Sequence, residues 1–172
     1  MQQNWDLALS ETLKIEGGYV NDPQDSGGPT DKGITQRVFD AYRATQHQPE
    51  EWIKRITPAE VSNIYKIQYA QAIKFDEIPS GLDYTLFDEA VNSGPHQAIV
   101  TLQEVLGVKV DGKLGVMTME ALLKADKGKI IKAYATNRLG FLSRLRSFKR
   151  FGKGWTKRVR AVEALSLKLN GG

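Results

Sequence analysis

The run NWDLALSETLKIEGGYVNDPQDSGGPTDKGIT, residues 4–35, constrains the fold more than any other stretch. Its first half is an amphipathic helix, with Trp5, Leu9, Thr12 and Leu13 on one face at helical spacing. Gly17-Gly18 is the stop. The chain then runs into a polar loop with five glycines, two prolines and three aspartates between Ile15 and Thr35. Glu16 closes the helix. In projection it falls between Trp5 and Leu9, inside the apolar arc. It also lies at the negative end of the helix dipole. Both placements disfavour a charged carboxylate, which suits a general acid. A buried glutamate tied to an arginine of the C-terminal segment is an equal reading of position alone.

The rest of the chain reads as mostly helical. TQRVFDAYRAT is a short helix, and TPAEVSNIYKIQYAQAI opens on a capping box from Thr57 to Glu60 with Pro58 at the first turn. Further helices are expected over 81–94, 95–107, about 118–124, about 130–148 and about 155–169. Only YVNDP, after Gly18, offers one arm of a small hairpin. The weakest seam is IPSG, Ile78 to Gly81. It predicts an N-terminal lobe over 1–80 with the glycine-rich loop and a helical lobe over 81–172, packed as one compact unit. The expected fold class is mainly α, with a small β-hairpin or loop after the first helix.

Composition narrows the chemistry. Cysteine is absent and the two histidines, His47 and His96, share no metal-binding spacing, so neither a metal nor a cofactor is expected. No apolar run is long enough to cross a membrane, so no membrane insertion is expected. MQQNWDLALS lacks the pattern of a signal peptide, and synthesis in the cytoplasm followed by release is the expectation. The net charge is +4. Nine Arg or Lys and no acid lie between Asn137 and Arg160. A solvated basic face or attraction to a polyanion both fit, and charge alone leaves nucleic acid among the partners.

The loop carries the sharper signal. Asp25 follows Glu16 in glycine-rich backbone that can fold back toward it, and Thr30 could hold a water. Two carboxyls in unlike surroundings form the acid and base pair of glycoside hydrolysis. Turn chemistry explains the same aspartates.

EGGYVNDPQDSGGPTDKGIT resembles the signature of glycoside hydrolase family 108, the N-acetylmuramidases of phages, prophages and some bacterial secretion systems. That signature is a Glu with two glycines, Asn-Asp-Pro, Asp-x-Gly-Gly, a Thr and Gly-Ile-Thr or Gly-Ile-Ser. Glu16 matches the family's catalytic glutamate. Glu16, Asp25 and Thr30 are also similar to the catalytic trio of phage-type lysozymes. The intervening gaps are eight and four residues here, against a usual eight and five. The resemblance implies a lysozyme-like fold. FDEAVNSGPHQAIVTLQEVLG, DGKLGVMT and GKGWTKRV resemble the peptidoglycan domain that accompanies the family, and the likeness runs from about Leu13 to Val159.

The implied function is cleavage of the β-1,4 bond between N-acetylmuramic acid and N-acetylglucosamine in bacterial cell walls. Glu16 would be the acid, Asp25 the base and Thr30 the water holder. The partner is then the peptidoglycan glycan strand rather than nucleic acid, and the protein a monomer acting on the wall after release. Tyr19, Asn92, Trp155 and Arg158 are candidate substrate contacts. Their structural readings are packing under the loop for Tyr19, a helix C-cap for Asn92, and a helix start with a core indole for Trp155 and Arg158. Competing functions are a lytic transglycosylase, in which Glu16 acts alone, a non-catalytic peptidoglycan-binding protein, and a helical nucleic-acid binder.

Overall fold

A computed structural model describes residues 4–21 and 28–171. Among the described residues it is mainly α, with one small antiparallel hairpin soon after the first helix. The elements are α1 (Trp5–Glu16), β1 (Thr30–Asp31), β2 (Ile34–Thr35), α2 (Gln36–Thr45), α3 (Pro58–Tyr65), α4 (Leu82–Ser93), α5 (Pro95–Leu106), α6 (Val116–Lys124), α7 (Lys127–Ser143) and α8 (Phe148–Leu169). They form two units: residues 6–68, and residues 69–171 with Asn4 and Trp5.

In the unit formed by 6–68, the hairpin is built by four consecutive residues with separate jobs. Lys32 and Gly33 both have positive φ, 50° and 74°, as a two-residue turn matched to strand twist requires. Ile34 is buried at 2% exposure and anchors the hairpin. Thr35 caps α2 by accepting from the Val38 N–H. Val20 adds a third, isolated rung: its backbone exchanges both hydrogen bonds with Thr30, at 2.8 and 2.9 Å. Of the arm expected in YVNDP, Asp22 and Pro23 lie outside the described residues and the described part pairs at Val20, while the hairpin turn itself lies later, at DKGI.

The capping box of α3 forms as expected between Thr57 and Glu60. Arg43 of α2 closes on the same Glu60 carboxylate, joining the two helices. The sequence predicts one helix over 57–73, but α3 ends at Tyr65 and continues as a π-type turn over Lys66–Ala70. The wider turn shifts the buried face, so Ile64 and Tyr65 are followed by buried Ala70 and Ile73 rather than by a regular stripe.

In the other unit, α4 is central and α5, α7 and α8 pack around it or each other. Leu82 through Ala90 are all buried, charged residues included. Trp5 meets Phe75 and Phe87 edge-on, at 5.5 and 5.2 Å between centroids. The connector DGKLGVMT is ordered by one side chain. The Gln103 carbonyl oxygen accepts from the Asp111 and Gly112 N–H groups, and its amide donates to Asp111, the Lys113 carbonyl and Thr118.

The break between α7 and α8 also differs from expectation. α7 ends at Ser143, not near Phe148, and α8 starts at Phe148, not near Trp155. Gly152 and Gly154 fall in the break expected between these two helices, yet α8 runs through both. Gly152 has a packing reason: the Phe148 ring lies where its Cβ would be, 2.8 Å from that position.

Candidate active site

The buried face of α1 is Trp5, Ala8, Leu9 and Thr12. Glu16 is the next position on that face and the last of the helix, and it is half-buried. Its carboxylate faces the hairpin turn. A Cβ built on Gly33 would stand 3.2 Å from Glu16 Oε2 and 2.8 Å from the Tyr65 hydroxyl. The acid and the phenol therefore both border the space that a side chain at position 33 would take. Tyr65 is 2% exposed and donates to the Lys32 carbonyl at 2.9 Å. It ties α3 to the turn that faces Glu16.

Thr30 lies on β1 between Val20 and Thr35, half-buried, with its hydroxyl donating to the Gly28 carbonyl at 3.1 Å. Asp25 lies outside the described residues. Tyr19 packs against Trp52, ring centroids 6.2 Å apart, and the Lys54 ammonium stands 4.1 Å over the Tyr19 ring.

The other three candidates belong to the second unit. Arg158 binds Asp88, with Nη2 at 2.9 Å and Nε at 3.0 Å from Oδ1. Arg138 holds the other oxygen of Asp88 at 2.7 Å and reaches Asn92 at 3.4 Å. Asn92 and Arg158 are thus brought to one ionic cluster. Its centre is wholly buried: Asp88 is 0% and Arg138 2% exposed. Trp155 packs with Phe148 and Phe151 beside Leu142 and Val159.

Two acids of this second unit carry shifts that the sequence does not announce. Burial pushes the Glu89 carboxyl up, against the pull of Arg138. Burial also pushes Asp83 up, against hydrogen bonds from Asn4 and the Tyr84 and Gly81 N–H groups. Beside Glu89, burial and that carboxylate hold the Tyr134 phenol well above its ordinary range. Glu89 follows Asp88 on a helix buried all round, and the missed signal is the adjacent acid pair in TLFDEAV.

A mainly α fold whose first helix ends in a glutamate facing the turn of a small hairpin is that of a lysozyme-like glycoside hydrolase. The comparisons agree with this class. Residues 9–94 match Glycosyl hydrolase 108, and residues 97–160 match the Predicted Peptidoglycan domain. The solved structure titled "Structure of Brucella abortus SagA" is 34% identical, with a TM-score of 0.83 over 99% of this chain and 97% of that one. No curated protein matches. The chain belongs to glycosyl hydrolase family 108, carries a peptidoglycan domain, and is a peptidoglycan hydrolase.

Proposed function

We propose that the protein is an N-acetylmuramidase that hydrolyses the β-1,4 bond between N-acetylmuramic acid and N-acetylglucosamine. The observation that carries this reading is the position of Glu16: a half-buried carboxyl at the end of α1, beside Gly33 of the hairpin turn. Such a carboxyl can deliver a proton to a leaving glycosidic oxygen. Asp25 is the proposed base and Thr30 the proposed water holder, on the family resemblance. Thr30 supports this by its place on the hairpin that also presents Gly33 to the acid. A water held by a threonine fits single displacement, so the proposed outcome is inversion. The protein is proposed to act as a monomer on the cell wall after release from the cytoplasm, with an N-terminal catalytic lobe over 1–80 and a wall-engaging lobe over 81–172.

The test is cleavage of purified peptidoglycan, followed by mass spectrometry of the fragments. Wild type should release muramic acid reducing ends, and Glu16→Gln should lose at least ~10²-fold in rate while staying folded. Asp25→Asn should fail nearly as badly, with Thr30→Ala between. Fragments ending in 1,6-anhydro sugars, with Asp25→Asn and Thr30→Ala active, would replace this reading by a lytic transglycosylase. Retention of half the rate by Glu16→Gln rejects Glu16 as the acid.

A further inference from the structure

Trp52 is an exposed indole, 44% accessible, on a backbone that is held unusually firmly. The Gln36 amide donates to the Glu51 carbonyl at 2.7 Å, and its oxygen accepts from the Ile53 N–H at 2.8 Å. One side chain thus grips the chain on both sides of Trp52. Ile53, the next residue, is 0% exposed and supplies the anchor to the core, so packing does not need the indole. A large ring left in solvent on a clamped backbone is the form of a contact platform.

Its neighbours give the platform a chemistry. Tyr19 tilts 56° against Trp52, so the two rings form an open angle. Lys54 adds a cation over the Tyr19 face, 4.1 Å from the ring centroid. The turn over Ile53–Arg55 packs on β1, the strand that carries Thr30, and Tyr19 directly precedes Val20, the backbone partner of Thr30. The rings therefore flank the strand of the candidate site. Aromatic faces bind the C–H faces of pyranose rings, and an ammonium adds preference for a nearby carboxylate.

We infer that Trp52, Tyr19 and Lys54 form a saccharide subsite, with a pyranose stacked on Trp52 and Lys54 facing a carboxylate of the same unit. This rests on the peptidoglycan reading of the site and names what recognises the glycan. The carboxylate has two possible sources in the wall: the lactyl ether of a peptide-free muramic acid, or the stem peptide.

Binding is measured by calorimetry on folded full-length protein with three probes: chitotetraose, a peptide-free muramyl tetrasaccharide, and the same tetrasaccharide carrying stem peptides. Trp52→Ala should weaken all three at least ~10-fold, as loss of an aromatic anchor does, and Trp52→Phe should restore most of it. Lys54→Met should leave chitotetraose binding as it was and weaken one or both muramyl probes. The probe affected identifies the carboxylate. Wild-type affinity of Trp52→Ala for all three probes would overturn the subsite. Equal losses across the probes in Lys54→Met would overturn the acidic preference. Wall cleavage is read separately. Binding through Trp52 without cleavage sinks the muramidase reading alone, and cleavage by Trp52→Ala at wild-type KM sinks the subsite alone.

Discussion

Glu16 and Gly33 approach so closely that a methyl group on the turn would crowd the acid. The Glu16 carboxylate oxygen lies 3.2 Å from the point a Cβ on residue 33 would take. This gives the Gly-Ile-Thr segment a physical meaning. The glycine makes room for the acid, the isoleucine anchors the hairpin, and the threonine starts α2.

Gly33→Ala should separate catalysis from stability. Its φ of 74° costs a side chain about 1–2 kcal/mol in strain. The new methyl must also push aside Glu16 or Tyr65, and a displacement near 1 Å costs roughly 10²-fold in rate. Gly107→Ala is the control. Its φ is 67° and its Cβ would meet nothing within 4 Å, so it should lose similar stability and keep its rate. Thermal melts and wall-cleavage rates below both melting points decide. Equal rates in the two variants reject the steric account.

Tyr65→Phe removes the donor to the Lys32 carbonyl without changing the ring. One such hydrogen bond contributes about 0.5–1.5 kcal/mol. If the bond positions the turn against Glu16, kcat should fall about 3- to 10-fold with KM little changed. A variant that loses stability but keeps kcat would make Tyr65 purely structural.

Glu89 predicts a pH dependence. Burial lifts its folded-state value above the ordinary 4.5. The folded protein therefore keeps this proton where the unfolded chain has lost it. Stability drops as pH rises from the unfolded value to the folded one, then stays level. Glu89→Gln has no such proton. Its melting temperature relative to wild type should rise with pH above about 4.5 and then flatten. A difference that does not change with pH rejects the shift.

Asp88→Asn tests the ionic cluster. It would remove the buried carboxylate charge that Arg138 and Arg158 share. Breaking a buried pair in this way costs about 3–5 kcal/mol. Denaturant unfolding should show a loss of that size. A loss below ~1 kcal/mol would mean that solvent reaches the cluster.

Much of this architecture is legible in the sequence because it is written locally. The stop at Gly17-Gly18, the Thr57–Glu60 box and the Gly94-Pro95 break between α4 and α5 each need only a few neighbouring residues. Glu16 is legible because one helix turn fixes its face. The Asp88–Arg138 pair spans fifty positions, and no periodicity connects its ends. Trp52 stands out only once its exposure is known. Gly152 misleads because the Phe148 ring, one turn earlier, packs where its side chain would stand. The breaker preference of glycine is outweighed by contact with that ring.

Gln36 holds the Trp52 backbone with an uncharged amide, and this has a bearing on where such an enzyme can work. Surface charge attractions fade as ionic strength rises, with a screening length of about 8 Å at physiological salt. A neutral hydrogen bond to a backbone carbonyl carries no such dependence. A basic protein meeting an anionic wall would thus lose long-range attraction in brine, while the loop bearing Trp52 keeps its shape.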